Sequence, residues 1–204
     1  MTTQAPAVEE QESAYRAQTI ALAAVAAVEM TAALTLPVPD PVFLAAGAAV
    51  VARAASRAVA AADLSLAVAL AVAGSLPVPL GLLPDPRVPA RAREGLTTLL
   101  ATLPGEPPED GAAAAERRKP ITPRAVRLAR NESLNAGADA YTEGMTRRRV
   151  PGWTRVTGPD PCPLCAGLAA RDEVLPASHR MARHTGCSCV QRPTSRPPTR
   201  GRAR

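Results

Sequence analysis

The sequence predicts a mainly α-helical chain that ends in a small α+β metal-binding module. Three observations carry this: Ala-rich runs punctuated by proline clusters, one long polar helix after residue 121, and a single segment holding every cysteine and histidine. The 204-residue chain is 47% hydrophobic but contains one Phe, one Trp and two Tyr. A core of Ala, Val and Leu buries little area per residue, so its helices must approach closely or lean on partners. The 22 prolines break the chain into several short units.

Charge is divided along the chain: residues 1–110 carry net −5 and residues 111–204 net +11. The second half therefore suits phosphate or an acidic protein surface. Lys119 is the one lysine among 24 basic residues, which reads first as the codon bias of a GC-rich genome. Glu9, Glu10 and Glu12 stand where a secretory signal would be basic. The expected compartment is thus a reducing cytosol, where clustered cysteines favour metal over disulfides.

Residues 1–12 are expected to be disordered. Ser13 then caps a helix to about Leu36, which Pro37-Val38-Pro39-Asp40-Pro41 ends. A second helix runs from Pro41 to about Gly74, and a third from Val88 to Leu103 after a turn bracketed by Pro77-Val78-Pro79 and Pro84-Asp85-Pro86. The phrase Leu36-Pro37-Val38-Pro39 returns as Leu76-Pro77-Val78-Pro79, a hint of a duplicated helix–turn unit. Leu64 to Pro84 carries no charge and is long enough to span a bilayer. It is Ala-rich, however, contains Pro77 and Pro79, and has Glu29, Arg53 and Arg57 in neighbouring helices. A helical bundle or oligomerisation surface is therefore expected, and no membrane partner.

These features divide the chain into an Ala-rich helical region (1–103), a charged linker (104–121), a metal module (122–190) and a disordered Arg/Pro-rich tail (191–204). Thr122-Pro123 starts a helix to about Arg148. Leu134, Ala138, Tyr141 and Met145 form its apolar stripe, and Asn131, Asn135 and Asp139 a polar one. That polar stripe is either a solvated face or a buried network against the metal module. Strands are expected at Gly152 to Val156, Glu173 to Leu175 and Ser188 to Val190.

The module's centre is Cys162-x2-Cys165, eighteen residues, then His184-x2-Cys187-x-Cys189. Two short ligand pairs across such a loop read as a tetrahedral zinc site. Cys162 and Cys165 are common to every ligand set. His184 with Cys187 mirrors their spacing, while Cys189 in place of His184 gives an all-cysteine site; His179 is the least suited donor. Either set fills all four positions with protein groups, so one structural Zn2+ per chain is expected and no catalytic residue. The five arginines of the tail, Arg192, Arg196, Arg200, Arg202 and Arg204, form a candidate sequence-independent phosphate grip.

The run Ala129-Arg130-Asn131-Glu132-Ser133-Leu134-Asn135-Ala136-Gly137, then Ala140-Tyr141, Gly144, Trp153, Cys162-Pro163-Leu164-Cys165, Leu168 and His184-Thr185-Gly186-Cys187-Ser188-Cys189 resembles the C-terminal domain of the Mu F-like minor head (head morphogenesis) proteins of tailed phages. The resemblance covers about residues 122–190. Thr185 and Ser188 replace the Pro and Arg often found in that family's closing motif. It implies a non-enzymatic minor capsid protein of the virion, present in host cytoplasm during assembly. Its implied partners are the portal, the scaffold or major capsid protein, and packaged double-stranded DNA. The alternative is a zinc-dependent nucleic-acid-binding protein or an HNH-like nuclease using His179 and His184. A deaminase is excluded because no histidine precedes Cys162. There is also no P-loop, dinucleotide fingerprint or Gly-x-Ser-x-Gly.

Overall fold

The computed structural model describes residues 4–75 and 78–199. The chain is mostly helical with one small sheet. Helices α1 (Gln4–Thr35), α2 (Asp40–Val72), α3 (Val88–Leu100) and α4 (Gly111–Arg118) precede a 3-10 turn (Lys119–Ile121) and α5 (Thr122–Arg147). Strand β1 (Gly152–Val156), α6 (Pro163–Ala169), β2 (Leu175–Pro176) and β3 (Val190–Thr194) follow.

Two compact units form. One takes Met1–Ile20, Val59–Leu83 and Gly137–Arg204, and the other Ala21–Ala58 and Pro84–Ala136. They interleave in sequence, whereas the residue pattern divides the chain at 104–121.

In the unit of Ala21–Ala58 and Pro84–Ala136, α3 supplies Val88, Ala92, Leu96 and Leu100, every fourth residue, to the core. Met30 and Leu34 of α1, Phe43 and Val51 of α2, and Ala125 and Ala129 of α5 complete it. Alanine at many of these positions is what permits close approach. Within the expected linker, Gly111–Arg118 form α4 and Lys119–Ile121 the 3-10 turn. Asp110 caps α4 by accepting the Ala113 N–H at 2.7 Å, and Arg118 is fully buried.

The burial of Arg118 has a specific cause. The last carbonyls of a helix lack intrahelical donors, and the proline-rich turn after α1 supplies few. Arg118 donates to the carbonyls of Leu34 (3.3 Å), Leu36 (2.7 Å) and Val38 (2.9 Å). Its charge is met by Asp40 at 2.9 Å, and its guanidinium lies 4.8 Å from the Phe43 ring centroid.

In the other unit, Tyr15 stacks on Tyr141 with ring centroids 5.1 Å apart. Tyr141, Met145, Trp153, Leu66 and Ala62 are all buried. Gly144 is required by this packing, since a Cβ there would lie 2.6 Å from Leu66 Cδ2. The sheet order is β2-β1-β3, antiparallel throughout, with Trp153 opposite Leu175 on one side and Pro193 on the other.

Two expectations change here. Residues 4–12 are helical, because Glu12 is buried and paired with Arg192. Gln191 to Thr194 form a strand rather than a disordered tail, with Gln191 donating to Thr142 Oγ1 at 2.9 Å. Arg200 to Arg204, residues 1–3 and the Leu76-Pro77 half of the recurring phrase lie outside the described residues.

Two helical stretches, Pro6–Thr35 and Asp40–Val72, are long and apolar enough to cross a membrane by length and composition alone. The charge-free run leaves the helix at Val72. Beyond it the backbone N–H groups of Leu80, Gly81 and Leu82 converge on the buried Asp63 carboxylate at 2.9, 2.7 and 3.2 Å. Asp63→Ala is expected to cost about 2 kcal/mol, chiefly from the stranded buried donor of Leu82. Urea unfolding followed by the fluorescence of Trp153 measures it.

Candidate metal centre

The first ligand pair is built by a helix start. Cys162 caps α6 in an extended conformation (φ −63, ψ 156), with Pro163 in the first turn. The Cys165 N–H returns to Cys162 Sγ at 3.4 Å. Both thiols are thereby aimed into one hollow.

The second pair repeats this logic in a tight turn. The Cys187 N–H donates to the His184 carbonyl at 3.1 Å. Gly186 holds φ +77, a left-handed conformation that favours glycine. His184 Nδ1 meets the Thr185 carbonyl at 3.0 Å. A proton on Nδ1 satisfies that contact and leaves the Nε2 lone pair free for a metal.

The two pairs meet. Cys162 Sγ lies 2.9 Å and Cys165 Sγ 3.3 Å from His184 Nε2, and Cys165 Sγ lies 3.6 Å from Cys187 Sγ. Cys189 Sγ is within 4.8 Å of those of Cys165 and Cys187. A tetrahedral zinc ion has S···S edges of about 3.8 Å and S···N edges of about 3.5 Å, from its bond lengths. The cysteine edge and the Cys165–His184 edge are close to these values. The Cys162–His184 contact is shorter, at hydrogen-bond length. All five sequence-predicted donors therefore gather around Cys165, and the cluster can hold a metal ion. All four cysteines are free thiols.

Crowding sets the protonation of this group. The Cys187 thiol is lowered to about 4, first by a hydrogen bond from Cys189 and also by the Arg183 guanidinium. Cys189 is raised, first by that same hydrogen bond and then by burial. Burial raises Cys165, whereas the backbone N–H of Cys165 lowers Cys162. A cation that binds these sulfurs as thiolates releases their protons.

Two arginines not singled out in the sequence brace the turn from behind. Arg183 donates to the carbonyls of Cys187 (3.0 Å) and Cys189 (2.9 Å). Arg155, on β1, donates to the Ala182 carbonyl at 2.7 Å. Arg183 had a visible signal, since it directly precedes the His184 motif; Arg155 had only its place on a predicted strand.

His179 does not join the metal-competent groups among the described residues. Its carbonyl instead accepts the Trp153 indole N–H at 3.1 Å. Of the polar stripe on α5, Asn135 and Asp139 are exposed, and Asp139 takes a two-pronged contact from Arg180 at 3.0 and 2.5 Å. In the tail, Arg192 is paired with Glu12 and Arg196 with Asp172, so neither is a free cation. Comparisons of the chain with protein-family models, with curated proteins and with solved structures find no match.

Proposed function

We propose that the chain is a non-enzymatic minor capsid, or head morphogenesis, protein of a tailed phage, whose cysteine–histidine cluster binds one structural zinc ion. The observation that carries this reading is the meeting of the two ligand pairs, Cys162-x2-Cys165 and His184-x2-Cys187. These are among the residues on which the resemblance to the Mu F-like minor head proteins rests. The donor chemistry of thiolates and imidazole suits zinc.

Cys162, Cys165, His184 and Cys187 are the proposed ligands, because they form a connected set of contacts from 2.9 to 3.6 Å. Cys189 is then the neighbour of the Cys187 sulfur rather than a ligand. Bound zinc supplies a tetrahedral crosslink between α6 and the segment before β3. Cys189→Ser is expected to retain about one zinc per chain and His184→Ala to lose it. The reverse result would assign the all-cysteine set.

In this reading the protein resides in the virion, at the capsid interior or portal, and in host cytoplasm during assembly. Its partners are the portal, the scaffold or major capsid protein, and packaged double-stranded DNA. Quantitative mass spectrometry of purified virions and procapsids is expected to detect the chain. Absence from both would refute the head-protein reading. Metal-dependent plasmid nicking that disappears in His179→Ala or His184→Ala would replace it with the nuclease alternative.

A further inference from the structure

Ion pairing in the unit of Ala21–Ala58 and Pro84–Ala136 leaves a defined remainder. Glu29 takes Arg53 and Arg57, Asp40 takes Arg117 and Arg118, Asp85 takes Arg87 and Arg91, and Glu116 takes Lys119. Arg93, Arg124, Arg127 and Arg130 have no acidic partner among the described residues. Three of these four sit on α5 at three-residue spacing, all exposed. They lie on the side of the helix away from buried Ala125 and Ala129. The one acid on this part of α5, Glu132, is engaged by Arg91 at 3.4 Å.

This arrangement opposes helix stability twice. Like charges at three-residue spacing repel. Cations near a helix N-terminus also meet the positive end of the macrodipole, and α5 has no acidic residue in its first turn to offset them. No ion pair among the described residues compensates, so a polyanion is the ligand that relieves both terms.

We propose that Arg124, Arg127 and Arg130 form a phosphate-binding stripe for the backbone of double-stranded DNA. The stripe advances about 4.5 Å per step and about 9 Å in all, which spans about three nucleotides of one strand. Guanidinium groups suit phosphate oxygens by their planar, forked donors. The choice of DNA over an acidic protein rests on the head-protein reading. In the tail, by contrast, Arg192 and Arg196 are paired with acids, and Arg200, Arg202 and Arg204 lie outside the described residues.

The test uses the full chain and a short fluorescent DNA duplex of arbitrary sequence, with affinity followed between about 50 and 200 mM salt. Replacing all three arginines by glutamine is expected to reduce the slope of log affinity against log salt by about 2.7, or 0.9 per lost contact. Replacing them by lysine is expected to preserve most of the slope. Unchanged circular dichroism and a Tm that does not fall confirm folding, since all three side chains are exposed. An unchanged slope in the glutamine variant overturns the proposal. So does a loss of slope that instead follows truncation after Thr199, which removes Arg200, Arg202 and Arg204 while leaving β3 intact. Equal competition by polyglutamate also overturns it in favour of an acidic protein partner. Stripe-dependent DNA binding by a chain absent from virions would leave the stripe standing and sink only the head-protein reading. A chain present in virions with an unchanged slope would do the opposite.

Discussion

Cys165→Ser is expected to abolish stoichiometric metal binding and to unfold the segment from Gly152 to Thr194. Cys165 is the donor common to both metal-competent groups, Cys162–Cys165–His184 and Cys165–Cys187–Cys189. The sheet beside it has two strands of five residues and one of two, near the lower limit for a sheet in water. In small metal modules the ion supplies most of the folding energy, about 10–16 kcal/mol in zinc-finger peptides. The expected readout is a red shift of Trp153 emission, since this indole is fully buried and tied to the His179 carbonyl. A strong chelator is expected to produce the same shift in the unaltered chain. Native emission in the metal-free variant would show that packing alone holds the sheet.

Arg118→Ala is expected to destabilise the other unit by about 3–5 kcal/mol, the range for removing one partner of a buried ion pair. The loss extends beyond the pair, because the Leu34 and Val38 carbonyls lose their side-chain donor as well, while Asp40 keeps Arg117 at 3.2 Å. Arg118→Lys is expected to rescue little. A single ammonium lacks the forked donors that reach the Leu34, Leu36 and Val38 carbonyls and Asp40 together. Thermal unfolding by circular dichroism measures both variants. A shift comparable to that of a surface substitution, within about 0.5 kcal/mol, would contradict the role given to this side chain.

Much of this was legible in the sequence because the signals were local. Proline clusters placed the C-terminal ends of α1 and α2 to within two residues, whereas α1 starts at Gln4 rather than at Ser13, and β1 was read at its observed limits. The 4-3-4 stripe Leu134, Ala138, Tyr141 and Met145 is buried as expected. The metal cluster was the clearest signal, since ligand spacing within each pair is itself the geometry. What was missed depended on partners far along the chain. Glu12 looked like part of a disordered start, and is buried against Arg192, 180 residues away. Arg118 looked like part of a charged linker, and reaches carbonyls 80 to 84 residues back. Gln191 looked like the start of a tail, and bonds Thr142. Composition assigns isolated charged and polar residues to solvent; only the fold supplies the acceptors that bring them inside.

The central claim is that the cysteine–histidine cluster is a closed structural metal site. Elemental analysis of the purified chain, combined with a thiol count before and after chelation, tests it most directly. The account predicts about one zinc per chain, with cysteines shielded until the metal is removed. A metal-free, folded chain whose four cysteines all react at once would contradict it.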